Sequence, residues 1–82
     1  MKKEELNRIV GQNIKKYRLL YNKNIDKMTQ EDLAEAINSS VSLISSLESN
    51  KTNKGISITT LYKISIVLNT PISKFLEDDN EK

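Results

Sequence analysis

Ser40, Ser42, Ser45 and Ser46 crowd into one short run, and the loop just beyond it carries Lys51, Thr52, Asn53 and Lys54. A hydroxyl can donate or accept, while amides and ammonium groups add donors. Such a set can fix a protein on a phosphate backbone; a plain solvated loop is the alternative for the 51–54 stretch. Bond-breaking chemistry lacks its usual parts. The chain has no His and no Cys, hence no conventional base for a serine or cysteine nucleophile and no imidazole or thiolate set for zinc. The carboxylates Glu31, Asp32 and Glu35 cluster at a helix start, where the helix dipole accounts for them. Gly11 and Gly55 are the two glycines and stand far apart, so no phosphate-cradling loop is present. We therefore expect no enzyme, no metal and no cofactor.

Two short helices must position the serines. Thr29 can accept from the free N–H groups of a helix start, and Asp32 stands where a capping-box acid would. Met28 and Leu33 are placed as a hydrophobic staple, and Leu33, Ala34 and Ile37 recur on one helical face. Asn38 tolerates the left-handed conformation that ends a helix. Ser40 then offers a second cap, and Val41, Ile44 and Leu47 follow at three-residue intervals as an inward side. That leaves Ser42, Ser45 and Ser46 outward, with Val41 and Leu43 at the edges. A helix, a tight turn and a second helix form the helix-turn-helix arrangement, whose second member enters the DNA major groove.

The run Thr29, Gln30, Glu31, Asp32, Leu33, Ala34, Glu35, then Asn38, Ser40, Ile44, Leu47 and Glu48, resembles the phage-repressor-like (Cro/C1, XRE-type) helix-turn-helix family. Upstream, Gly11, Ile14, Tyr17 and Arg18 look like that family's first helix. Downstream, Ile58, Leu61, Ile64, Ser65, Leu68, Ile72 and Phe75 look like its last two. The resemblance implies an all-α, five-helix, lambda-repressor-like DNA-binding domain, with the helix-turn-helix at helices 2 and 3. It places Val41, Ser42, Ser45 and Ser46 at base-reading positions, and Gln30 and Ser40 at positions that often hold phosphate. Leu43 joins the backbone-contacting set with Lys51, Thr52, Asn53 and Lys54. The resemblance also pairs Arg18 with Glu48; two unrelated solvated charges are the alternative. Serine departs from the family's pattern, because it cannot make the bidentate contacts worth about 1 to 3 kcal/mol of base discrimination. Selectivity would then lean on bridging water, thymine methyl contacts with Val41 or Leu43, and the deformability of the site.

Length and charge agree with this reading. The 82 residues suit one small domain, and absent cysteine points to a reducing, cytoplasmic compartment. No apolar run approaches the roughly 20 residues of a membrane span, so no membrane association is expected. Lys and Arg concentrate in residues 1–30, whereas Glu77, Asp78, Asp79 and Glu81 make the end acidic. We expect a domain over residues 1–77 and a frayed tail over 78–82. Residues 21–27 read as a surface loop, whose Lys23 and Lys27 either reach DNA or belong to a tolerated insertion.

The remaining helices follow from periodicity. Residues 2–21 predict one helix with Leu6, Ile9, Val10, Ile14 and Tyr17 inward, and Gly11 predicts close approach of a neighbour. Ser57 predicts a cap for a fourth helix with Ile58, Leu61, Ile64, Ser65 and Leu68 inward, and Asn69 its end. Pro71 suits the first turn of a fifth, which carries Ile72, Phe75 and Leu76. Ile66 falls on the far side from Leu61, so Tyr62, Ile66, Ile72 and Leu76 predict an apolar patch and a homodimer interface. Taken together, these readings predict a homodimeric double-stranded DNA-binding regulator on a (pseudo)palindromic operator, with no small-molecule ligand. A phage-type repressor and a restriction-modification controller both fit. The alternatives are an antitoxin or a protein-interaction module that keeps the fold without reading DNA.

Overall fold

Two of the helices start where the sequence supplies a side-chain acceptor and end where it supplies asparagine. The computed structural model describes residues 2–21, 28–49 and 55–78. Its helices are α1 (Lys3–Tyr21), α2 (Gln30–Ala36), α3 (Val41–Ser49), α4 (Ile58–Val67) and α5 (Ile72–Phe75). The readings of the 22–27 loop, of Lys51, Thr52, Asn53 and Lys54, and of residues 79–82 lie outside the described residues. Thr29 caps α2 in a full capping box, its hydroxyl accepting from Asp32 N while the Asp32 carboxylate accepts from Thr29 N. Ser57 accepts from Thr60 N at the start of α4.

Both α2 and α4 end in the same device. Asn38 (φ 58°) and Asn69 (φ 53°) take the left-handed conformation. Beside them, Ser39 N donates to Ala34 O and Thr70 N to Ser65 O, the six-to-one bond that closes a Schellman end. Asparagine tolerates this backbone better than other side-chain-bearing residues, which is why two such ends occur without glycine.

The core takes Val10 and Ile14 from α1, Leu33, Ala34 and Ile37 from α2 and its end, and Ile44 and Leu47 from α3. Leu61, Ile64 and Leu68 with Phe75 close it from below. Asn13, buried on α1, donates through Nδ2 to Phe75 O and Glu77 O, each at 2.8 Å. These bonds satisfy carbonyls that the short α5 leaves open and fasten it to α1. The Tyr17 and Phe75 rings add an edge-on contact at 5.5 Å.

Three sequence expectations change. Leu6 is 39% exposed, because α5 docks at Asn13 and Leu6 lies seven residues, about 10 Å, further along α1. Ile58 is 68% exposed. At about 100° per residue it stands closer to Tyr62 than to Leu61 around the α4 axis, so it joins the outer face. Pro71 caps α5 from outside rather than entering its first turn, and Leu76 is its C-cap. Past Leu76, Glu77 O is held by Asn13.

Gly11 is a requirement of packing. A Cβ built there would overlap the Leu47 carbonyl oxygen, a backbone atom that cannot swing away. Gly11→Ala should gain about 1 kcal/mol in helix propensity and lose about 1 to 3 kcal/mol or more to overpacking. Net destabilisation in urea unfolding is the expected result; a stabilised variant would mean α1 and α3 are not in backbone contact.

Candidate nucleic-acid interface

The α2–α3 unit is set by its turn. After the Schellman end at Asn38, Ser39 leads to Ser40, whose Oγ accepts from Leu43 N at 3.1 Å and starts α3. The Ser40 hydroxyl stays exposed and retains a hydrogen to donate. Along α3, Ile44 and Leu47 turn into the core, but Val41, which the three-residue spacing places inward with them, is 40% exposed at the open first turn and joins exposed Ser42 and Ser45 on the outer side. Ser46 is half-buried and its carbonyl accepts from Ser49 Oγ.

Leu43 departs from the expectation. It is half-buried and packed against the core, and its peptide N–H is taken by Ser40. An aliphatic side chain facing the core offers nothing to a phosphate, so Leu43 leaves the backbone-contacting set.

One buried polar cluster locks the unit to α1. Arg18 donates from Nε to Glu48 Oε2 at 2.7 Å and from Nη2 to Glu48 Oε1 at 2.9 Å, the bidentate geometry of a strong pair. Its Nη1 donates to Met28 O at 2.7 Å, immediately before the α2 cap. Glu48 Oε1 also accepts from Gln30 Nε2 at 2.9 Å. Both charged side chains are nearly inaccessible, 9% and 3% exposed. The cluster ties the end of α1, the start of α2 and the end of α3 to one carboxylate. The Gln30 and Met28 links could not be foreseen from sequence, because they depend on how the three segments converge.

A shallow depression lined by Arg18, Thr29, Gln30, Glu31 and Val41 brings the first turn of α2 and the first residue of α3 onto one surface. Gln30 and Ser40 therefore flank the α3 start, and Val41, Ser42 and Ser45 share its outer side.

An apolar surface lies elsewhere, on α4 and α5. Tyr62, Ile66 and Leu76 are 56%, 61% and 46% exposed, whereas Ile72 is half-buried against the core. Tyr62, Ile66, Pro71 and Ile72 border one open groove. Ile58, which periodicity had assigned to the core, extends the row: Ile58, Tyr62 and Ile66 stand four residues apart and form a single ridge. The signal was present in that spacing.

Among the described residues no group of His, Cys, Asp or Glu could hold a metal ion. No described helix is long and apolar enough to cross a membrane. A family model described as helix-turn-helix matches residues 14–75, which takes in the end of α1 and all of α2, α3, α4 and α5. No curated protein matches the chain.

Proposed function

The chain belongs to the Cro/C1-type (XRE) helix-turn-helix family of DNA-binding transcription regulators, and from that premise we propose that it acts as a homodimer on a (pseudo)palindromic operator. Repression or control of a restriction-modification system would be its task. The observation that carries this reading is the two-sidedness of α3. Its aliphatic side is sealed into the core through Ile44 and Leu47, and Val41, Ser42 and Ser45 stand exposed on the other.

Each set of residues then has a part. Val41, Ser42, Ser45 and Ser46 meet base edges, the serines through adaptable hydroxyls and Val41 through thymine methyl groups. Gln30 and Ser40 hold phosphates at the start of α3. Lys51, Thr52, Asn53 and Lys54 contribute further backbone contacts by their chemistry alone. Two-fold pairing through Tyr62, Ile66, Ile72 and Leu76, extended by Ile58, would cover the apolar ridge, since exposed patches of this kind more often mark an interface than a solvated face. Such a dimer presents two recognition helices to half-sites about one DNA turn apart.

Selection of bound duplexes from a random pool tests binding, symmetry and spacing together. The expected result is an inverted repeat for which the logarithm of the binding constant falls linearly with the logarithm of salt concentration. Ser46→Ala should change affinity unequally among operator variants, and Lys51→Ala should weaken all of them alike. Binding that ignores salt, with no enriched sequence, would favour the second reading: a protein-interaction module or antitoxin. The observation behind that alternative is a recognition face without Arg, Gln or Asn.

A further inference from the structure

Glu48 is held by Arg18, yet one of its oxygens also reaches across to Gln30, a bond that the ion pair does not require. Glu48 Oε1 accepts from Arg18 Nη2 and from Gln30 Nε2, both at 2.9 Å. A carboxylate in this pair only accepts, so it dictates which end of the Gln30 carboxamide turns towards it: the nitrogen. The carboxylate is itself immobile, because the rigid Arg18 fork holds it in two places and it is 3% exposed. Gln30 is half-buried at the first residue of α2 and borders the depression that also takes in Val41. Its second N–H is left for an acceptor at that surface.

We propose that Glu48, beyond pairing with Arg18, is the positioning residue that aims Gln30 at a DNA phosphate beside the groove entered by α3. The proposal rests on the DNA-contacting reading given above. An exposed glutamine spends side-chain entropy when it is fixed on a phosphate. A glutamine already held at one N–H has spent much of it, and so adds affinity without adding charge. Glu31, exposed on the same rim, is the carboxylate that a phosphate must avoid, which gives a further reason for the neutral donor to be fixed in place.

The test is a double-mutant cycle on the full chain with a selected duplex, combining Gln30→Ala and Glu48→Asp. Asp keeps the charge facing Arg18 and shortens the reach to Gln30. Each single variant should lower affinity about tenfold, the worth of one hydrogen bond to a charged group. The double variant should lose no more than either single one. The dependence on salt should keep the wild-type slope, because a neutral donor releases no counterion. Urea unfolding of each variant separates lost folding from lost contact. Losses that multiply in the double variant would overturn the proposal, as would full affinity in Gln30→Ala. If Glu48→Asp fails to fold, the wild-type protein still decides: the side-chain amide resonances of Gln30, distinguished from those of Gln12, should shift when duplex is added, and unmoved resonances would refute the idea. Failure of the wild type to bind any duplex would instead remove the operator reading on which this one stands.

Discussion

Glu48→Ala should lower the stability of the fold by about 3 to 5 kcal/mol, the usual cost of leaving one member of a buried ion pair without its partner. The guanidinium of Arg18 would keep its bond to Met28 O but lose both carboxylate contacts, at a site where water has little access. Gln30 would lose its acceptor as well. Small domains hold roughly 5 to 15 kcal/mol in total, so a loss of this size should leave a visible unfolded fraction at ordinary temperature. Glu48→Gln should sit between wild type and Ala, since an amide oxygen can still accept from Arg18 without supplying charge. Chemical unfolding followed by circular dichroism measures all three. Wild-type stability in Glu48→Ala would show that the pair is solvated and contributes nothing to fastening α3.

Phe75→Ala is expected to cost about as much, in the range of 3 to 5 kcal/mol, by a different mechanism. Phe75 has no exposed surface, and its ring meets Tyr17 edge-on at 5.5 Å. Truncation leaves a cavity beneath α1 and α4 and removes an aromatic pair worth about 0.5 to 1.5 kcal/mol of that total. A four-residue helix cannot hold itself in water. Without the ring, α5 would depend on the two bonds from Asn13, and those bonds accept their geometry from the same docking. Phe75→Leu, which refills most of the volume, should recover most of the loss. Thermal and urea unfolding provide the measurement; a loss below about 1 kcal/mol would mark α5 as an appendage.

The two variants probe different attachments to α1. Glu48 secures the helix-turn-helix to it through Arg18, and Phe75 secures α5 to it through the neighbouring Tyr17 ring and the bond from Asn13. If the apolar ridge on α4 is the subunit contact, Phe75→Ala should weaken pairing as well as folding. Concentration-dependent sedimentation would register that second effect.

Much of this was legible in local sequence because caps, stops and helical periods involve residues only a few positions apart. Thr29 with Asp32, Ser40, Ser57, Asn38 and Asn69 each act on neighbouring backbone, so their chemistry determined where helices begin and end without reference to the rest of the chain. The spacing of Leu33, Ile37, Ile44, Leu47, Leu61 and Leu68 likewise determined which sides face inward. Periodicity overreached at Leu6, Val41 and Ile58, where a helix extends past, or rotates away from, whatever would have covered it. Only tertiary structure decided that Leu43 turns to the core, that Asn13 ties down α5, and that Gln30 shares the Glu48 carboxylate with Arg18. Those outcomes depend on distances between segments separated by 18 to 64 positions, as in the Gln30–Glu48 and Asn13–Glu77 bonds. Local patterning assigns a residue to a face, but the partner it meets there is chosen by how the helices dock.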